Sequence, residues 1–257
     1  MRTRPFLLLL LAGVTFGLSF SHQVFAGTLS QLGYGRWVTV HKVYDGDTFK
    51  TRAGEKVRLL GINTPEIAHG GKPGQPLGKK AKKELLSLIQ GKLVRLEFDK
   101  DKQDKYGRLL AHVYLRDGTW INAQMIERGW AHQYIFAPNF HHADMLLKKE
   151  QAARQKKSGI WNTPRFELLK SNQANEALIG QFRLISGNVV SIGKKRWGFK
   201  LGKLSISVPR AYRKWFKTPP KLKKNDKVIV HGTIRISNKG NLYLALHSPY
   251  DLEIIKQ

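Results

Sequence analysis

Residues 44–50, Tyr-Asp-Gly-Asp-Thr-Phe-Lys, and residues 57–66, Val-Arg-Leu-Leu-Gly-Ile-Asn-Thr-Pro-Glu, decide how this chain is read. Asp45-Gly46-Asp47 lies between the alternating runs Val40–Val43 and Phe49–Thr51. Its first reading is a reversal between two strands, with Gly46 free to take a positive φ. The second reading is a cation site. Arg58 stands on the next strand, Val57 to Ile62, which runs into Asn63-Thr64-Pro65-Glu66, and a three-stranded meander would return Asn63 and Glu66 to the neighbourhood of Asp47. Clustered hard oxygen donors suit Ca²⁺ or Mg²⁺, and a nearby arginine suits a phosphate.

Working outward, strand-like alternation extends over residues 35 to 62, whereas residues 67–78, with four glycines and two prolines, read as a mobile loop. Lys79 to Gln90 reads as a helix with Ala81, Leu85, Leu88 and Ile89 on one side and a row of lysines on the other, stopped by Gly91. Strands follow at Leu93 to Phe98 and Arg108 to Leu115, on either side of a charged loop. Asn122 is placed to cap a short helix running to Arg128, and Ala143 to Lys157 reads as a longer helix closed by Ile160-Trp161. His141-His142 followed by Asp144 invites a zinc assignment. A solvated helix start is the preferred reading, because adjacent helical histidines point apart and no i, i+4 histidine follows.

Residues 162–179, with Pro164, Ser171 and several amides, read as a linker. From Gly180 the pattern is three strands (Phe182 to Ile192, Trp197 to Leu201, Leu204 to Val208), a short helix within Pro209 to Phe216, and two more strands (Val228 to Ile236, Leu242 to Leu246). That is the order of a five-stranded OB barrel. Within it Trp197, Phe199 and Leu201 share a face that reads as core. Arg196, Lys200 and the run at Lys221 to Lys224 are the candidates for phosphate contact.

Composition points to the partner. The 257 residues carry 45 Lys+Arg against 18 Asp+Glu, a formal charge of +27, yet 41% are hydrophobic, which argues for packed domains over a basic tail. Residues 27–179 hold 26 basic and 15 acidic side chains and residues 180–257 hold 17 and 3, so both halves suit a polyanion, nucleic acid foremost through counterion release. Anionic lipid or a cell-surface polymer would also be attracted. No cysteine is present, so stability rests on cores and not on disulfides. Arg2 and Arg4, the apolar stretch Phe6 to Phe20 and Val24-Phe25-Ala26 form the three parts of a cleaved signal peptide, residues 1–26, which predicts a secreted or periplasmic protein.

The residues gathered so far supply what phosphodiester hydrolysis requires: a metal-ligating carboxylate, forked cations for the phosphate, and a carboxylate to handle water. The stretch from about Trp37 to Trp161 resembles the staphylococcal (micrococcal) nuclease, or thermonuclease, family. The resemblance rests on Tyr-Asp-Gly-Asp-Thr at 44–48, Arg-Leu-Leu-Gly-Ile-Asn-Thr-Pro-Glu at 58–66, Asp-Lys-Tyr-Gly-Arg at 104–108, Ala-Pro-Asn at 137–139 and Ser-Gly-Ile-Trp at 158–161. It implies an α+β, mainly β fold, an OB barrel with three helices over residues 27–161, followed here by the second, basic OB-like unit at 180–257. It also implies a Ca²⁺-dependent, sugar-nonspecific nuclease that cuts DNA and RNA to 3′-phosphates. By position, Asp47, Asn63 and the Thr64 carbonyl would bind Ca²⁺ with Asp45 in the outer shell. Arg58 and Arg108 would hold the phosphate, Glu66 would act as general base, and Tyr106 and Tyr134 would line the nucleotide pocket. Two departures stand out: Asn63 replaces an aspartate, removing one anionic ligand, and Phe136 replaces a tyrosine. The rival readings are a non-catalytic nucleic-acid-binding protein on the same fold, and a nuclease carrying an adhesion module for anionic polymer.

Overall fold

In β1 (Gly35–Val43) the inward residues are Val38, Val40 and Val43, a spacing that breaks strict alternation. A bulge between Val40 and Lys42 supplies the extra residue and returns Val43 to the core. The computed structural model describes residues 35–255, and the signal peptide read over residues 1–26 lies outside them. From β1 the chain makes β2 (Thr48–Thr51), β3 (Lys56–Leu59) and the short β4 (Ile62–Asn63). Helix α1 (Gly78–Ile89), β5 (Leu93–Glu97) and β6 (Leu109–Tyr114) follow. Strands pair in the order β1-β2-β3-β6-β5, and β5 pairs back with β1 to close a barrel. All neighbours are antiparallel except β3 and β6, which run parallel. Phe49, Val57, Leu59, Val94, Leu96, Ala111 and Val113 fill it, and Ala81, Leu85 and Ile89 of α1 pack against them. Each of the valine, leucine, isoleucine and phenylalanine side chains contributes roughly 1.5–3 kcal/mol through burial.

Helix α2 (Ile121–Glu127), the two-residue β7 (His132–Gln133) and α3 (Ala143–Gln155) complete the first unit. Asn122 is not the cap. It lies inside α2, fully buried, where its Oδ1 accepts from Val113 N–H at 2.9 Å and its Nδ2 donates to the Leu60 carbonyl at 2.8 Å, bolting the helix to β6 and the β3–β4 turn. Past α2, Gly129 (φ 73°) lies against the Ser158–Gly159 backbone and accepts the Ile160 N–H at 2.8 Å. A Cβ at position 129 would overlap that backbone, so the closure of this unit by Ile160 and Trp161 depends on glycine.

A second barrel repeats the topology of the first. β9 (Phe182–Ile192), β10 (Gly198–Leu201) and β11 (Leu204–Ser207) are followed by α4 (Arg213–Phe216), β12 (Lys227–Ile236) and β13 (Leu242–Ala245). β11 and β13 pair in parallel, and β12 pairs with β9 to close the ring. Phe199 and Leu201 are buried in it, as their shared face predicts. Two strands were not legible in the sequence: β8 (Leu169–Lys170), which runs parallel to β9, and β14 (Leu252–Ile255), which pairs with β12. Among the described residues the architecture is therefore two closed five-stranded OB-like barrels with four α-helices, α+β and mainly β. Among the described residues no helix is long and apolar enough to cross a membrane.

Residues 162–179, read as a linker, pack on the second barrel through β8 and through buried Phe166 and Leu169. Ala153, Ile160, Trp161 and Phe166 share an apolar cluster with Leu184 and Ile229 of the second barrel. Beside it lies a buried polar knot. Glu253 accepts from Arg154 Nη2 at 2.8 Å, from Gln151 Nε2 at 2.7 Å and pairs with His231 Nε2 at 2.6 Å, while His231 Nδ1 stands 3.8 Å from Glu150.

Candidate active site

The turn that opens the site is built by Asp45, whose Oδ1 accepts the Asp47 N–H at 3.0 Å. Gly46 does not take the positive φ expected of it. Glycine is needed there for close approach: a Cβ would stand 2.7 Å from Thr64 Oγ1 and 2.8 Å from Ala81 Cβ. The β2–β3 register sets Thr48 opposite Arg58, and the Asp47 carbonyl accepts the Leu59 N–H at 2.8 Å. Asp47, buried, gathers the site around its carboxylate. Oδ1 accepts from Thr48 Oγ1 at 3.0 Å, and Oδ2 accepts from Thr64 N–H at 2.9 Å, from Thr64 Oγ1 at 3.0 Å and faces Arg58 Nη1 at 3.0 Å.

β4 and β7 form a two-stranded ribbon beside the barrel that sets Asn63 opposite His132. The Asn63 amide is fully engaged: Oδ1 accepts from Arg58 Nη2 at 2.8 Å, and Nδ2 faces the Thr64 carbonyl at 3.2 Å and His132 Nε2 at 3.4 Å. Burial holds the His132 pKa down to about 3, and its Nδ1 stands 2.8 Å from the Gln133 carbonyl. The neutral ring therefore donates from Nδ1 and offers the Nε2 lone pair to the Asn63 NH₂. His132 was not legible as a site residue in the sequence; the only available signal was its place two residues before Tyr134.

Glu66 is exposed, but its backbone is pinned: its carbonyl accepts the Gln75 N–H at 2.8 Å and its N–H donates to Gln75 Oε1 at 3.3 Å. Desolvation first, then the Asp47 charge, raises the Glu66 pKa, while Arg58 and Arg108 pull it down. The residues predicted from distant stretches of sequence thus share one field. Asp45 is raised to about 6 by burial and by Asp47. Arg108 comes from a tight Asp-Lys-Tyr-Gly-Arg turn in which Asp104 Oδ1 accepts the N–H groups of Tyr106 at 2.9 Å and Arg108 at 3.0 Å, and Oδ2 takes Arg108 Nε at 2.7 Å. Desolvation opposes the ionised form of Asp104, but these bonds outweigh it and lower its pKa.

Tyr106 is 72% exposed and stands beneath the Arg108 guanidinium. Tyr134 sits edge-on to Phe136 at 4.5 Å, and burial raises its hydroxyl pKa against the pull of Arg58. Phe182 of the second barrel stacks on His132 at 4.2 Å and meets Tyr134 edge-on at 6.2 Å, so the second barrel supports the wall of the site. Arg196 and Lys200 belong elsewhere. Both are exposed on the second barrel, where Arg196 donates to the Leu222 carbonyl at 2.7 Å.

The donor set tests well for a hard dication. Every candidate ligand atom is oxygen, and the Asp45 carboxyl is raised first by burial and then by the Asp47 charge, a repulsion that bound positive charge would relieve. Two of the expected ligands face other partners, since Asn63 gives its oxygen to Arg58 and its NH₂ to the Thr64 carbonyl.

A family model described as staphylococcal nuclease homologue matches residues 56–163. The chain is 39% identical over 130 residues to the SPbeta prophage-derived endonuclease YokF of Bacillus subtilis (strain 168), covering 49% of this chain and 44% of that protein. It is 38% identical over 130 residues to the endonuclease YncB of the same organism, covering 61% of it. The chain thus spans about half the length of these two relatives. It is 35% identical over 130 residues to a thermonuclease of Staphylococcus intermedius, covering 77% of that protein. With that identity and coverage, the chain belongs to the staphylococcal nuclease homologue family.

Proposed function

We propose that the chain is an exported, Ca²⁺-dependent endonuclease that hydrolyses phosphodiester bonds of DNA and RNA and leaves 3′-phosphates. The observation that carries this reading is that Asp47 and Arg58, 3.0 Å apart, and Arg108 from a separate loop all act on the Glu66 carboxyl. Asp47, with oxygens of Asn63 and Thr64 and with Asp45 behind, would hold the cation, which when bound neutralises charge on the attacked phosphate. Arg58 and Arg108 donate N–H groups to the non-bridging phosphate oxygens as negative charge grows on them. Glu66 accepts a proton from the attacking water, and its raised pKa brings it closer to the range useful to a general base. Tyr106 and Tyr134 offer faces for bases, and the basic second barrel, through Arg196 and Lys200 among others, holds the polymer.

The test is to incubate the purified mature chain with plasmid DNA and with RNA in Ca²⁺, Mg²⁺, Mn²⁺ or EDTA, and to identify the product ends. Cleavage of both polymers in Ca²⁺, abolished by EDTA, is expected. Tight binding without cleavage under every condition would instead establish the non-catalytic reading. Export is tested by N-terminal sequencing of the mature protein, with a start at Gly27 expected.

A further inference from the structure

Away from the phosphodiester pocket, three side chains converge that the proposed reaction does not use. His141 and His142 precede α3 and are not part of it, so the divergence of adjacent residues on a helix does not apply. His142 takes φ 64° at the N-cap and makes no capping bond with its side chain. Both rings turn instead to Glu97 at the end of β5: Glu97 Oε1 stands 2.8 Å from His142 Nε2 and 3.6 Å from His141 Nε2. We propose that Glu97, His141 and His142 form a binding site for a transition-metal dication of the zinc class.

The geometry suits such an ion. With metal–ligand bonds of about 2.0–2.1 Å, neighbouring corners of a tetrahedral site lie about 3.3 Å apart. The two measured separations fall on either side of that value, and all three ligand atoms lie within 4.8 Å of one another. Two imidazoles and one carboxylate is also a ligand set that zinc takes with a fourth position open, and exposed His141 gives that position a route to solvent.

The surroundings hold the ligands in place, as outer groups do in metal sites. Arg95 Nη1 engages the other Glu97 oxygen at 3.2 Å, leaving Oε1 toward the rings. Asp99 accepts the His141 N–H at 2.9 Å and adds a second negative charge, while Asn139 and Asp101 exchange two bonds that tie the approach to α3 to the loop after β5.

A second observation points to the same place. His112 is buried and neither of its ring nitrogens makes a well-formed hydrogen bond. Its polar surroundings are the His141 backbone and the rings of His142 at 4.8 Å and His141 at 6.5 Å. A buried imidazole without a proper partner is costly in a packed interior. It lies beside this cluster, against the rings of both proposed histidine ligands. Ligation here would fasten the end of β5, from which the chain runs to Arg108, to the start of α3.

This inference stands whether or not the chain cleaves nucleic acid. The experiment is equilibrium dialysis of the chelator-stripped full chain against Zn²⁺ in the presence of excess Ca²⁺, with metal analysis, and against Co²⁺ with visible absorption. One equivalent of Zn²⁺ and tetrahedral Co²⁺ bands are expected. Affinity should fall at least about tenfold in His141→Ala, whose exposed ring is not needed for folding, and similarly in His142→Gln, while Asp47→Asn should leave it unchanged. Sub-stoichiometric metal, or undiminished binding in a folded His141→Ala protein, would overturn the assignment and leave a hydrogen-bonded Glu–His cluster.

Discussion

Replacing Glu253 by Gln removes the charge at the centre of the knot between the barrels and keeps its shape. Desolvation opposes the ionised form of Glu253, but the bonds from His231 and Arg154 outweigh it and hold its pKa at about 2 against 4.5 for a free side chain. At about 1.36 kcal/mol per pH unit this gap is on the order of 3 kcal/mol, the preference of the folded site for the carboxylate over a neutral group. Glu253→Gln should therefore destabilise the protein by that amount at pH 7, lowering Tm by roughly 6–12 °C for a unit of this size. The pH dependence is the sharper part. Because the folded pKa is depressed, the stabilisation is fully present above pH 4.5 and is lost as pH falls toward about 2. Urea midpoints of the wild type and the variant, measured across that window, should converge as the wild-type carboxylate is protonated. A loss below about 1 kcal/mol at pH 7, or a difference that does not shrink on acidification, would refute the role assigned to this charge.

Asn63→Asp supplies an anionic oxygen and removes the NH₂ that faces the Thr64 carbonyl, so the Ca²⁺ needed for half-maximal activity should fall, by about tenfold; an unchanged requirement would place residue 63 outside the metal's ligands. Phe182→Ala removes the ring stacked on His132, and should cost about 1–3 kcal/mol in stability and slow cleavage even of short oligonucleotides. A normal rate on short substrates would show that the second barrel serves only to hold the polymer. Gly46→Ala forces a methyl against Thr64 and Ala81, which should cost about 1–3 kcal/mol by thermal melting and reduce activity further by displacing the partner of Asp47.

Much of this was legible from local signals. The alternation in residues 35–62 and the strand–helix–strand order after Gly180 gave both barrels, because OB topology follows from element order once the hydrophobic faces are marked. The candidate site residues come together because the turn at Asp47 leads into the β2–β3 pair, where Thr48 stands opposite Arg58, and the chain then runs on into β4 with Asn63. What escaped depends on contacts between parts distant in sequence. β8 and β14 are too short to show a period, and pairing with β9 and β12 defines them. Asn122 carries the residue type of a cap but works as a buried bolt, and no local rule separates the two. His132 matters through the tautomer set by the Gln133 carbonyl, and His141 and His142 matter because the chain before α3 turns both toward Glu97.

The central claim is that the pocket around Asp47 clamps a phosphate with two arginines and breaks its ester bond. Its most direct test is single-turnover cleavage of a short oligonucleotide in saturating Ca²⁺ by the wild type, Arg58→Lys and Arg108→Lys. Lysine keeps the charge and loses the planar fork, so each variant should stay folded and cleave on the order of a hundredfold more slowly or worse. Wild-type rates in both variants would contradict the account.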